Sequence, residues 1–173
     1  MPVPTGLFNL EEVINNQIYD LKRSDITVNK ITEINGKREE VFFKPDSAFW
    51  NRELEVFSPA DIGKPSMRDR YTISESDTLG YHITRYSSMD PKINGTLFLS
   101  VSKDLSGLYN EIMIQQRESN FLYQSQRNLR LKFTDNPSLG IYTLKSYGIK
   151  GYQKIIFRRP VKYEVDVQLQ RTD

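Results

Sequence analysis

Polar and apolar residues alternate strictly at the end of the chain, where Val161, Tyr163, Val165, Val167 and Leu169 interleave with Lys162, Glu164, Asp166, Gln168 and Gln170. A period of two places the first set on one face of a sheet and the second in water. The same alternation, interrupted by turn-forming clusters, predicts eight strands after residue 70: Tyr71 to Ser76, Tyr81 to Ser87, Thr96 to Ser102, Leu108 to Glu118, Phe121 to Phe133, Gly140 to Ile149, Tyr152 to Arg158 and Val161 to Gln170. The interruptions are Asp77 to Gly80, Asp90-Pro91 with Asn94-Gly95, Asp104 to Gly107, Ser119-Asn120, Asp135 to Leu139, Lys150-Gly151 and Arg159-Pro160. Connections this short join sequence neighbours antiparallel, so the strands form a meander. Twist and exposed edges predict that it curls into a half-barrel or a closed barrel, lipocalin-like or lipoprotein-carrier-like.

The first seventy residues read differently. Asn9 caps a helix, Glu12 completes a box-like pair, and Phe8 is placed to staple onto Val13. Leu10, Val13, Ile14, Ile18 and Leu21 share one side of it, with Glu11, Asn15, Gln17 and Lys22 elsewhere. Asn35-Gly36 between Ile26 to Ile34 and Lys37 to Lys44 specifies a hairpin through a type I′ turn. Asp46 caps a second helix, Ser47 to Phe57, with Phe49, Trp50, Leu54 and Phe57 on an aromatic side; Ser58-Pro59 ends it and Asp61 to Pro65 is a loop. The expected fold is therefore α+β and mainly β: one strongly curved antiparallel meander with the N-terminal helix on its concave side, burying Leu10, Val13, Ile14, Ile18 and Leu21 against Leu97, Leu99, Val101, Leu129, Leu131, Val165 and Val167.

At 173 residues the chain suits a single domain spanning 1–173, with residues 1–6 a disordered leader. That leader, Met1-Pro2-Val3-Pro4-Thr5-Gly6, reads either as a stretch left behind by removal of an export segment or as a natural cytoplasmic start. The 24 basic and 22 acidic residues nearly cancel, which argues against a dedicated nucleic-acid binder. Their distribution is uneven: residues 1–86 carry 11 basic and 14 acidic side chains, residues 87–173 carry 13 and 8. With no cysteine, disulfides, thiolate metal sites and cysteine nucleophiles are excluded together. No run of about 18 apolar residues exists to span a membrane as a helix.

Several segments resemble one family. Trp50-Asn51-Arg52-Glu53-Leu54-Glu55-Val56-Phe57 running into Ala60-Asp61-Ile62-Gly63-Lys64-Pro65 and Arg68-Asp69-Arg70-Tyr71 is similar to small predicted cell-envelope lipoproteins of bacteroidete bacteria. So are Met89-Asp90-Pro91-Lys92, Asn120-Phe121-Leu122-Tyr123-Gln124-Ser125 and Tyr147-Gly148-Ile149-Lys150-Gly151-Tyr152-Gln153-Lys154, which spreads the resemblance from about residue 7 to 169. It implies export to the periplasm or outer membrane through a lipidated cysteine upstream of residue 2, with the membrane met only through that anchor, and it implies no particular activity.

Enzyme chemistry has little to stand on. His82 is the only histidine, it falls inside a strand, and no G-x-S-x-G elbow accompanies it. Gly63-Lys64-Pro65-Ser66 lacks the upstream glycine of a phosphate loop and puts proline where its helix begins. Glu39-Glu40 and Glu53 with Glu55 read as solvated charge, no metal-ligand spacing appears, and no cofactor is expected. Asn94-Gly95-Thr96 matches a glycosylation sequon, meaningful only in a eukaryotic source.

Two features carry binding readings. Within Phe121 to Phe133, the apolar register Phe121, Tyr123, Leu129, Leu131, Phe133 also contains Ser125 and Arg127. Either Tyr123, Ser125 and Arg127 line a pocket of at least about 300 Å³ for an apolar or amphipathic ligand, or a bulge near Gln126 returns Arg127 to water. The second feature is Lys145, Lys150, Lys154, Arg158, Arg159 and Lys162, a stretch without an acid and interleaved with Tyr147, Tyr152 and Phe157. That composition suits single-stranded nucleic acid or an acidic glycan, and equally a solvated hairpin. The leading expectation is a non-enzymatic envelope domain whose partner is an apolar or amphipathic small molecule or an envelope protein, without nucleic acid; the alternative is a cytoplasmic polyanion-binding module.

Overall fold

The computed structural model describes residues 6–136 and 141–172, leaving the side chains of residues 135, 136 and 141 aside. Most of the expected leader and most of the expected turn at residues 135–139 lie outside the described residues. Among the described residues no helix is long and apolar enough to cross a membrane.

Helix α1 (Leu10–Leu21) is followed by β1 (Ile26–Ile34) and β2 (Lys37–Phe43), α2 (Ser47–Leu54), two 3-10 segments (Glu55–Ala60, Pro65–Arg70), and then β3 (Tyr71–Thr78), β4 (Tyr81–Ser88), β5 (Gly95–Asp104), β6 (Tyr109–Ser119), β7 (Tyr123–Asn136), β8 (Ile141–Ile155) and β9 (Val161–Arg171). All nine strands form one antiparallel sheet in the order β2-β1-β9-β8-β7-β6-β5-β4-β3. The meander from β3 to β9 is as expected, and the N-terminal hairpin adds to it by pairing β1 with β9. Barrel closure does not occur: β2 and β3 are free edges, and the sheet is neither closed nor strongly curled. The physical reason lies in the helices, which cover the apolar face without the sheet having to wrap around itself.

One strand fewer than expected follows residue 70, because Lys150-Gly151 is not a turn. The chain runs extended through it as β8, pairing Gly151 with both Arg127 and Tyr163. A side chain at 151 would occupy the space of the Tyr163 ring, so this glycine serves close approach across the sheet. The Asn35-Gly36 reading holds: φ is +49° and +82° at the two positions, as a type I′ turn requires.

Leu10, Val13, Ile14 and Leu21 are buried and Ile18 is half-buried against the core, as the helical spacing predicts. They share one buried core with Leu99, Val101, Ile112, Leu129, Leu131, Val167 and Tyr147 on the covered face. Leu97 is an exception. A bulge between Thr96 and Phe98 changes the parity of β5, so Thr96 takes the inward position and donates its hydroxyl to the Ala60 carbonyl at 2.9 Å. Gln17, expected on the polar side of α1, is also buried, and its Oε1 accepts the Leu144 N–H at 2.7 Å beside the β7–β8 register shift. A backbone group freed by a bulge needs an acceptor, and a long amide on the helix supplies it. Asp46 caps α2, accepting the Phe49 N–H at 2.7 Å; the chain tightens to 3-10 at Glu55 and continues through Ser58-Pro59 to Ala60. Phe8 joins Tyr86, Tyr109, Phe133 and Tyr142 in a set of tilted and edge-on ring contacts under one end of α1.

Candidate functional site

β7 settles the register of its own polar residues. Pairing runs without a shift from Glu111↔Lys132 to Ser119↔Gln124 on one side and from Tyr123↔Ile155 to Lys132↔Ser146 on the other. No bulge lies near Gln126, so Ser125 and Arg127 stay on the same face as Leu129 and Leu131. Ser125 is 7 % exposed and Arg127 half-buried. Across β6, the positions level with Leu131, Leu129 and Arg127 are Ile112, Ile114 and Gln116.

The helices stop short of this end of the face. Pro59, on the 3-10 segment, forms one wall of a cleft of about 300 Å³ that Gln116, Glu118, Ser125, Arg127 and Asn94, together with Gly95, Arg117 and Asn120, complete. Tyr123 shares the face but lies outside the cleft wall. It stands near Tyr163, whose phenol is raised above its ordinary value first by burial, with the Arg127 charge opposing and Tyr123 adding. Three polar groups at the cleft have no protein partner among the described residues. The Arg127 guanidinium forms none of the ion pairs found there. Gln116 is 4 % exposed, and its Oε1 is buried without a hydrogen bond. The Ser125 hydroxyl has no hydrogen bond among the described residues, but unlike the Gln116 oxygen it is open to solvent. An unpartnered polar atom closed off from water, as the Gln116 oxygen is, is costly, and its place beside two unpaired, solvent-reached donors in one cleft is an arrangement that a ligand would complete.

Gln116 was missed at the level of sequence, although its parity with Ile112 and Ile114 pointed inward. Lys30 and Glu53 were missed too. Glu53, read as solvated, reaches from α2 to an ion pair with Lys30 on β1, both side chains largely buried. Beside it Tyr147 is 2 % exposed, and its hydroxyl points toward Glu53 without a hydrogen bond of good geometry. Burial, then the Glu53 charge, raise this phenol above its ordinary value; Tyr109 is pushed up to about 12, mainly by burial.

These two tyrosines make stability depend on pH. Below the unfolded value near 10 both phenols are neutral whether folded or not, and the stabilisation is whole; above it the unfolded chain loses protons that the folded chain keeps. Stability therefore falls as pH rises from about 10 towards the folded values. Tyr147→Phe is expected to flatten part of that fall in urea denaturation, and to cost nothing at pH 7 because the hydroxyl makes no bond to lose. A loss above about 1 kcal/mol at neutral pH would show that the hydroxyl is used.

The basic stretch does not form one surface. Tyr147 is buried, while Lys150, Tyr152, Lys154 and Lys162 lie on the helix-free face and Arg158 and Arg159 sit in the β8–β9 turn. Lys150 pairs with Glu164 at 3.0 Å, a hydrogen bond and charge that raise its pKa, with Glu33 and Asp166 adding. Two wider depressions on that face, about 390 and 520 Å³, share Gln115, Asn128, Lys150 and Glu164. Lys150 pairs there with Glu164 and Arg130 with Glu111, while Glu33, Lys162 and Asp166 form no ion pair among the described residues; the smaller cleft is the better candidate because it alone of the three is lined by a buried polar atom without a hydrogen bond, the Gln116 oxygen. His82 lies at the β3 edge, Nδ1 2.8 Å from Asp77 Oδ1 and Nε2 3.8 Å from Glu75, with no nucleophile among its partners. The Asn94 amide is engaged at both ends, donating to the Ser119 carbonyl and accepting the Ser119 N–H. Comparison with protein-family models, curated proteins and solved structures finds no match to this chain.

Proposed function

We propose that this chain is a non-enzymatic domain of the cell envelope that binds an amphipathic acid, its anionic head against Arg127 and its apolar portion along the covered face. The observation that carries this reading is the juxtaposition of an unpaired guanidinium, a buried unpartnered amide oxygen and an unpartnered hydroxyl in one cleft of about 300 Å³. Arg127 supplies charge and a planar donor fork for a carboxylate, Ser125 a second donor, and the Gln116 amide an acceptor for a protonated or hydroxylated head group. Ile149 and Val165 continue the same face as half-buried apolar neighbours. The cover over the ligand comes from the Pro59 segment and the helices, since the sheet is open. Placement in the periplasm or at the outer membrane rests on the resemblance to bacteroidete lipoproteins.

Titration of the chain with a medium-chain fatty acid, followed calorimetrically, tests the reading. Arg127→Leu is expected to weaken binding about 10- to 100-fold, the equivalent of one charge-assisted hydrogen bond, while leaving the urea midpoint unchanged. Parent affinity that is undetectable, or that survives Arg127→Leu, would overturn it.

A further inference from the structure

Antiparallel order brings the β1–β2, β8–β9 and β6–β7 turns to one rim of the sheet. The backbone ties them together. Ile156 N–H donates to the Leu122 carbonyl at 2.9 Å, and Asn35 and Lys162 exchange two bonds, Asn35 N–H to the Lys162 carbonyl and Lys162 N–H to Asn35 Oδ1, each 2.9 Å. On this rim Phe157 is 99 % exposed and Phe121 88 %, with Leu122 and Ile155 exposed beside them. Lys154, Arg158, Arg159 and Lys162 are exposed around Phe157, and no acid occurs between residues 145 and 162.

Phe157 is the informative residue. Its φ is +61°, a left-handed conformation that costs a side-chain-bearing residue free energy and that glycine or asparagine adopts far more readily. Nothing among the described residues offsets that cost, because the ring is buried against none of them. The opposite rim also exposes Leu79, itself at φ +50°, and Leu105, so positive φ does not by itself set Phe157 apart; those two residues stand in turns that contain Asp77 and Asp104. Among the described residues, only the Phe157 rim joins protruding aromatic side chains to an uninterrupted group of cations.

We propose that this rim docks on an anionic phospholipid bilayer: Phe121, Leu122, Ile155 and Phe157 enter the interface between head groups and acyl chains, and Lys154, Arg158, Arg159 and Lys162 face the head-group phosphates. Apolar insertion and electrostatic attraction are the two terms that hold a peripheral protein on a charged membrane, and both are present on one rigid edge. The proposal does not depend on a ligand in the cleft.

The full chain is mixed with vesicles of phosphatidylcholine alone, or of phosphatidylcholine with phosphatidylglycerol, and sedimented. Co-sedimentation is expected with the anionic vesicles only, weakening as salt is added. Phe157→Gly relieves the positive φ, so its Tm is expected to equal or exceed that of the parent while vesicle affinity falls about tenfold. Phe121→Ser with Phe157→Gly removes both aromatic rings from the insertion, leaving Leu122 and Ile155, and is expected to weaken vesicle binding further than Phe157→Gly alone. Absence of parent binding at low salt, or undiminished binding by that double variant, overturns the proposal. So does single-stranded DNA binding as tight as vesicle binding that Arg158→Gln with Arg159→Gln abolishes and Phe157→Gly leaves intact, which would make the rim a polyanion site.

Discussion

Ile14→Ala is expected to lower the unfolding free energy by about 2–5 kcal/mol in urea denaturation, the range for truncating a large aliphatic side chain in a packed core. Ile14 is 2 % exposed at the middle of α1, flanked by Leu10 at 0 %, Val13 at 4 % and Leu21 at 1 %. The sheet beneath cannot easily collapse into the vacated space. Its strands are held by ladders on both sides, and α1 is tied down to β8 and β9 by the Gln17–Leu144 bond and the Asp20–Arg171 ion pair at 2.5 Å. A rigid site keeps its cavity, which moves the cost toward the upper part of the range. Tyr19→Ala, on the exposed side of the same helix, is expected to fall within about 0.5 kcal/mol of the parent. A loss well under 1 kcal/mol for Ile14→Ala would show α1 to be peripheral to the core.

The meander was legible because period-two alternation survives in a single sequence: β9 alternates as Val161 to Gln170 predict, with Val167 and Leu169 buried between exposed polar residues. Caps were legible for the same local reason, since Asn9 and Asp46 act on amides three residues away. The features that could not be read depend on residues far apart in the chain. Gly151 looks like a turn until Tyr163 is placed beside it, and Gln17 looks solvated until a bulge 127 residues away frees the Leu144 amide. The open sheet belongs to this group: whether a meander closes depends on what covers its apolar face, and here α1, α2 and the 3-10 segment do.

The candidate site was half legible. Parity within β7 made an inward Ser125 and Arg127 one of two open readings, and the unbroken register removes the other, a bulge near Gln126. Gln116 and Pro59 come from other elements, and only the fold brings them to the same cleft. Tyr123 illustrates the opposite failure. Correct parity put it on the right face, while its position at the very start of β7 puts it beyond the cleft wall.

The segment that ends at this cleft is fixed by a single carboxylate, and its removal is expected to have the second-largest effect. Asp61 is 7 % exposed, and its Oδ1 accepts the Leu10 N–H at 2.8 Å, with longer contacts from Gly63 N–H at 3.3 Å and Glu11 N–H at 3.4 Å. It thus caps α1 from fifty residues away, complementing Asn9, whose Oδ1 takes the Glu12 N–H at 3.0 Å. Gly63 lies so close that a Cβ there would stand 2.9 Å from Asn9 Cα, so the strip from Ala60 to Gly63 is pressed directly against the helix start. Asp61→Ala leaves the Leu10 amide buried without an acceptor and removes a negative charge from the helix N-terminus. The expected loss is about 2–4 kcal/mol in urea denaturation, combining an unsatisfied buried donor with a lost cap. Asp61→Asn keeps the acceptor and is expected to lose only about 1 kcal/mol, the charge–dipole part. Because Ala60 also accepts from Thr96 and leads back to Pro59, loosening this strip displaces a wall of the cleft, and Asp61→Ala is expected to weaken fatty-acid binding as well as stability. Equal losses for the alanine and asparagine variants would show that charge, rather than the hydrogen bond, holds the helix start; unchanged stability in both would show that Asn9 alone is a sufficient cap.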